Sequence, residues 1–180
     1  MKILKFLFIG IGTIVVLVLV AALFLPKTYR VERSVIIHAP QPLVMEQVKS
    51  LKKMNEWSPF TEQDPEIQIT YTGTEGQVGS SASWKGKKAG EGSQTITKLS
   101  NDRMDSKLIF KKPMEGTSTA FFQTERDGRD VRATWGMEGK NPYPFNVMCI
   151  FMDNVIGKEY EKGLAKLKAR CEQMSRIVSN

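Results

Sequence analysis

The chain has 180 residues, 41% of them apolar, with 26 Lys and Arg against 19 Asp and Glu and one histidine. This excess of positive charge is too mild and too dispersed for a nucleic-acid binder, which concentrates basic residues on one face. One histidine and two distant cysteines exclude a disulfide framework and a zinc constellation, and no metal or cofactor is expected.

Residues 6–25 form an unbroken apolar run, FLFIGIGTIVVLVLVAALFL, whose one hydroxyl is Thr13. About 20 such residues rise roughly 30 Å as a helix, the thickness of a bilayer's hydrocarbon core. Lys2 and Lys5 precede the run, as they would in a signal peptide, and Ala21-Ala22 offers a cleavage point after Ala22. The run is nevertheless longer than a signal core and ends in Leu23, Phe24 and Leu25. Residues 1–26 are therefore expected to be a retained transmembrane anchor, and 27–180 one domain. Lys27, Arg30 and Arg33 follow the run, so flanking charge does not orient it. With a five-residue N-terminal flank, the domain is expected on the extracytoplasmic side of the cell membrane.

Beyond Pro26, residues 29–38 alternate as a strand, with Val31, Val35 and Ile37 on one face. A helix is expected over 43–53 and a shorter one over 54–60, broken by Pro59. Short alternating runs follow at 67–71, 80–84, 91–99, 104–110, 117–125 and 131–137, the last two joined across Asp127-Gly128, a strong hairpin signal. After Asn141-Pro142-Tyr143-Pro144, residues 145–177 carry apolar side chains at three- and four-residue steps and predict one long helix. Its opposite side carries Lys158, Lys162, Lys166 and Arg170, with Glu159 and Glu161 interleaved. Cys149 and Cys171 both fall on it, roughly 33 Å apart if it is continuous, beyond disulfide reach. The order strand, two short helices, six strands and a long helix describes an α+β fold in which a curved antiparallel sheet of about seven strands wraps a C-terminal helix.

The run VERSVIIHAP, the Trp57-Ser58-Pro59 segment, the stretch from Trp84 to Gly92, Thr134-Trp135 and the helix FMDNVIGKEYEKGLAKLK together resemble the SRPBCC superfamily. This is the START-like helix-grip fold, and within it the chain is similar to the polyketide cyclase/dehydrase-like branch with an N-terminal membrane segment. The resemblance implies a deep apolar cavity between sheet and last helix that holds a lipid or another hydrophobic small molecule. Such folds host carriers, sensors and a few enzymes, so fold alone does not settle function.

Candidate ligand-binding residues are Trp57, Phe60, Trp84, Phe110, Phe121, Trp135 and Phe151, with Met137, Met148, Met152 and Val155 as adaptable apolar lining. Phe145 and Met114 belong to the same group, and a packed core is the competing reading of all of them. Gly157 and Gly163, inside the long helix, call for a reason: room for a ligand or close contact with the sheet. Glu91, between Gly90 and Gly92, is either an inward acid that orients a ligand or acts as a base, or an exposed carboxylate paired with a lysine of the 85–88 turn. His38 ends the first strand and reads as a surface group; Asp153 lies beside the apolar stripe, at a cavity mouth or capping a loop. No nucleotide-binding or nucleophile motif is present. Three functions fit: membrane-anchored binding of a hydrophobic ligand, a cyclase/dehydratase-type reaction using Glu91 or Asp153, or a filled interaction domain with no cavity.

Overall fold

The structure is a computed structural model that describes residues 2–178, with side chains described over 6–177. The side chains of Lys2 and Lys5, expected to flank the apolar run, lie outside the described residues. The run itself is helix α1, Lys2–Phe24. Its residues 6–24 are long and apolar enough to cross a membrane, a property that anchors and signal sequences share. Thr13 satisfies its hydroxyl within the helix by donating to the Ile9 carbonyl at 2.9 Å.

Strand β1, Thr28–Ile37, is followed by α2, Gln41–Lys49, and α3, Leu51–Trp57. The single helix expected over 43–53 is thus two. Ser50 takes extended geometry between them, and its Oγ accepts the Lys53 N–H at 3.1 Å, capping α3. Pro59 opens the one-turn α4, Pro59–Glu62, at a position where a missing N–H costs no helical bond.

Six strands then run as a meander: β2 Gln68–Thr72, β3 Ser81–Lys85, β4 Glu91–Leu99, β5 Arg103–Lys112, β6 Gly116–Asp127 and β7 Asp130–Lys140. All seven pair antiparallel in the order β1-β7-β6-β5-β4-β3-β2. Register shifts at Glu91/Gly92 and Ile96/Lys98 break the β4–β5 ladder, and such irregularities bend a strand and increase twist. A 3-10 turn, Phe145–Met148, leads into α5, Cys149–Val178, which buries Tyr160, Leu164, Leu167 and Cys171 against the sheet. Both cysteines are free thiols, and burial pushes that of Cys171 up to about 11.

The two helical glycines are close-contact positions. The guanidinium of Arg33 occupies the space where a Gly157 side chain would sit. It bonds Asp153 at 2.8 Å and Glu161 at 2.7 Å, clamping β1 to α5. A Cβ on Gly163 would meet the Trp135 ring at 2.7 Å and the Pro59 ring at 3.0 Å.

Pairing also defines the two ends of the sheet. At one end, β1 begins beside the end of β7, β6 begins beside the end of β5, and β3 ends beside the start of β4. The same end receives α1. Asn146, fully buried in the 3-10 turn, donates its Nδ2 to the carbonyls of Ala22 at 2.7 Å and Leu25 at 3.0 Å. The domain thus satisfies one carbonyl of the last turn of the apolar helix and the carbonyl that follows it.

Candidate functional site

Strand parity decides which side chains face α5. The cross-strand pairs Ala82 with Gln94, Gln94 with Leu108, Ser106 with Ala120, and Ala120 with Met137 lie on one face of the sheet. Between this face, α3, α4 and the first half of α5 lies a cavity of about 320 Å³. Small residues leave its space: Ala82, Ala89, Ala120 and Ser58. Its floor is aromatic. Trp135 stacks on Tyr160 at a centroid distance of 4.1 Å, and Phe60 stands edge-on to both at 6.2 and 6.3 Å. Trp84 and Phe110 line another wall in an edge contact of 5.9 Å.

The polar lining is neutral apart from Lys88. Gln94 donates its Nε2 to Ser106 Oγ at 2.9 Å, and Asn55 donates to the Tyr71 hydroxyl at 3.0 Å. No Asp, Glu or His lines the cavity among the described residues. Burial raises the Tyr160 phenol well above its ordinary range, so it stays protonated.

The β3–β4 turn that bounds the cavity is held by Asp64. This buried carboxylate accepts the backbone N–H groups of Lys88 at 2.7 Å and Ala89 at 3.0 Å, and Trp84 Nε1 donates to the Ala89 carbonyl at 3.2 Å. The Ala89 and Lys88 amides hold the Asp64 carboxyl below its ordinary value of 3.8. A depressed acid stabilises the fold above its unfolded pKa, and that contribution is lost as pH falls through the folded value. The stability lead of wild type over Asp64→Asn should therefore shrink below about pH 4, with the wild type losing stability more steeply. Parallel acid limbs would remove Asp64 from the turn.

Five candidates from the sequence meet in the cavity: Phe60, Trp84, Phe110, Trp135 and Met137. Trp57 does not line it; it packs behind Trp135 at 5.2 Å and donates its indole N–H to the Gln47 carbonyl at 3.3 Å. Phe121 lies on the opposite face of the sheet, over Gly136 and between the guanidiniums of Arg30 and Arg103 at 4.9 and 4.7 Å. Its neighbour Phe122 is the inward one, because adjacent residues of a strand face opposite ways. Glu91 sits at the strand edge between Lys112 at 3.6 Å and Lys111 at 3.9 Å, not a lysine of the 85–88 turn.

Phe151 and Val155 are exposed at the start of α5, as are Phe145 and Met148 in the 3-10 turn before it, while Met152 packs on the edge of the core without reaching the cavity. Met114 is exposed in the β5–β6 loop. Asp153 is taken by Arg33, and His38 Nδ1 lies 2.8 Å from Asp130 at the surface. Met54, Gln94, Leu108, Ile156 and Tyr160 line the cavity without having been singled out as site residues. Parity alone brings Gln94 inward with buried Ile96, and a polar side chain in phase with apolar ones is the signal that sets it apart.

The sequence pattern of the family described as polyketide cyclase / dehydrase and lipid transport matches residues 28–172. The chain belongs to this family. Its fold is one that binds hydrophobic ligands. Among solved structures, a protein of Nitrosospira multiformis is similar at a TM-score of 0.60 and 16% identity, covering 82% of this chain and 99% of that one. One from Thermobifida fusca reaches 0.58 at 18% identity, covering 80% and 93%. Another, from Chromobacterium violaceum, reaches 0.55 at 15%, covering 82% and 98%. At these identities the likeness concerns the fold. No curated protein matches. In this member of the polyketide cyclase/dehydrase and lipid transport family, cavity and matched segment coincide: every lining residue falls within 28–172.

Proposed function

We propose that this protein is a membrane-anchored binder of a hydrophobic small molecule or lipid, with residues 1–26 as a retained transmembrane anchor and 27–180 as the binding domain on the extracytoplasmic side. The observation that carries the reading is the cavity of about 320 Å³ between aromatic floor and helix. Binding comes from burying apolar ligand surface, at roughly 25 cal/mol per Å² before the costs of association. Phe60, Trp84, Phe110, Trp135 and Met137 supply the walls, and Gln94 orients a ligand hydroxyl or carbonyl. The cavity lies at the small end of ligand sites, which span about 300–1,000 Å³. It suits one acyl chain or a compact ring system rather than a diacyl lipid.

Two observations favour binding over acid–base catalysis. Glu91 and Asp153 are both held in ion pairs away from the cavity. The lining supplies no carboxylate or imidazole among the described residues. Retention of the anchor is supported by Ala22, buried and bonded to Asn146 at the point where a signal peptidase would cut.

The test is delipidation of the full chain in detergent followed by titration with fluorescent single-chain fatty acids of increasing length. Saturable uptake is expected, with affinity rising roughly fourfold per added methylene until the cavity fills, since each buried CH₂ contributes about 0.8 kcal/mol. Uptake that never saturates, or affinity indifferent to chain length, rejects the reading.

A further inference from the structure

We infer that the domain does not hang free on its anchor but rests on an anionic bilayer surface, with the first turns of α5 inserted among the lipids. This rests on the reading of α1 as a retained span. The apolar residues Phe145, Met148, Phe151 and Val155 are 44–60% exposed, and neighbouring exposed apolar side chains mark an interaction surface. They do not serve the cavity, whose contact with α5 runs through Ile156 and Tyr160.

Their position says what covers them. Asn146 lies inside the cluster, and its two bonds to Ala22 and Leu25 fix the cluster directly beside the exit of α1. The Asn141 N–H also donates to the Lys27 carbonyl at 2.9 Å, tying the approach to α5 to the residue after the apolar run. A surface held against the end of a span faces the bilayer that the span crosses. Met148, Phe151 and Val155 follow at helical spacing, so one side of α5 enters together while Met152 and Ile156 stay on the core.

Charge at this end of the sheet agrees with an anionic partner. Exposed Lys27, Lys85, Lys88 and Lys140 lie there by register, at the start of β1, the β3–β4 turn and the end of β7. Basic groups close to such a surface attract its headgroups. Acids answer some of the neighbouring charge, since Lys87 pairs with Glu66 at 2.6 Å and Glu91 lies between Lys111 and Lys112. Cavity residues Ile67, Trp84, Lys88, Ala89 and Phe110 come from this same end of the sheet. Docking would bring the cavity to the surface that holds its ligand.

The experiment places an indole on the face. Full-length Phe151→Trp, and Val155→Trp as a second site, are reconstituted in phosphatidylcholine/phosphatidylglycerol vesicles, with Asn101→Trp in the β4–β5 turn at the opposite end as control. Emission gained over wild type at 151 or 155 should be blue-shifted, quenched by lipids brominated on the acyl chains and spared by aqueous iodide; the control should show the reverse. Omitting phosphatidylglycerol should lessen the bromine quenching, and equal quenching without it would remove the lysines from the contact. Iodide quenching at both sites overturns the proposal, and protection from both quenchers overturns it in favour of a protein partner. Carbonate extraction of the same vesicles reports the span separately. A chain that stays in the membrane yet shows iodide-quenched indoles has an anchor and no docking face. Should carbonate release the chain, the span reading fails, and bromine quenching on added vesicles then decides docking alone.

Discussion

Replacing Trp135 by alanine is expected to destabilise the domain by about 3–5 kcal/mol, the range for truncating a buried large aromatic. Trp135 is 4% exposed. It stacks on Tyr160 of α5 at 4.1 Å, meets Trp57 of α3 edge-on at 5.2 Å, and packs near Pro59 and Gly163. One side chain of β7 therefore joins the sheet to three helices. Its removal costs the transfer free energy of the ring and the aromatic contacts, and it enlarges a space that is already hollow, so neighbours have little to collapse onto. With a urea dependence of about 1–3 kcal/mol per molar, the unfolding midpoint of the full chain in detergent should fall by about 2 M. A loss under about 1 kcal/mol would mean that the helix is held elsewhere, with Arg33 and its two carboxylates the next candidate.

Filling the cavity should abolish binding without unfolding the protein. Ala120→Phe projects a ring from β6 into the space between Met137, Leu108 and Gln94. In a packed core this substitution costs about 1–3 kcal/mol of strain. Here the ring enters existing volume and adds contacts, so the midpoint should move by no more than that. Affinity for a single-chain fluorescent fatty acid should fall at least tenfold, about 1.4 kcal/mol, because the ring takes the space the ligand needs. Glu91→Gln supplies the contrast. Glu91 lies at the first residue of β4 between two lysines and outside the cavity, so its neutralisation should leave uptake unchanged. If Ala120→Phe binds as well as wild type, the ligand occupies some other site. A loss in Glu91→Gln of the same size would return that carboxylate to the binding machinery.

Much of this architecture is legible in local pattern. Alternation identified seven strands and the 3.6-residue stripe identified α5, because both periods are imposed by backbone geometry and read directly from apolar spacing. The break at Ser50 was missed because Leu43, Val44, Val48 and Leu51 keep their spacing through it, and a serine cap adds only one hydrogen bond. Of the candidate lining residues, those on strand positions with clear parity, such as Trp84, Phe110, Trp135 and Met137, face the cavity. Phe121 shows the weakness of composition without register. It is aromatic and buried, yet one residue out of phase, and its partners are two arginines on the other face.

The candidates near the start of α5 lie away from the cavity for a different reason. Met148, Phe151 and Val155 continue the apolar pattern of the helix, and periodicity reports that a face is apolar without saying what covers it. Whether that face meets a sheet, a ligand or another surface depends on where the sheet ends along the helix. By itself the chain determined its strands and long helix, their order, the apolar segment 6–25 and the family resemblance, since each is written in short-range spacing or in segment order. Only the tertiary structure decided that small residues from β3 and β6 leave a hollow of about 320 Å³, that Glu91 and Asp153 are spent in ion pairs, and that Asn146 holds the end of the apolar helix. Those outcomes depend on pairs far apart in sequence. Their meeting is set by register and by helix placement, which no local pattern encodes.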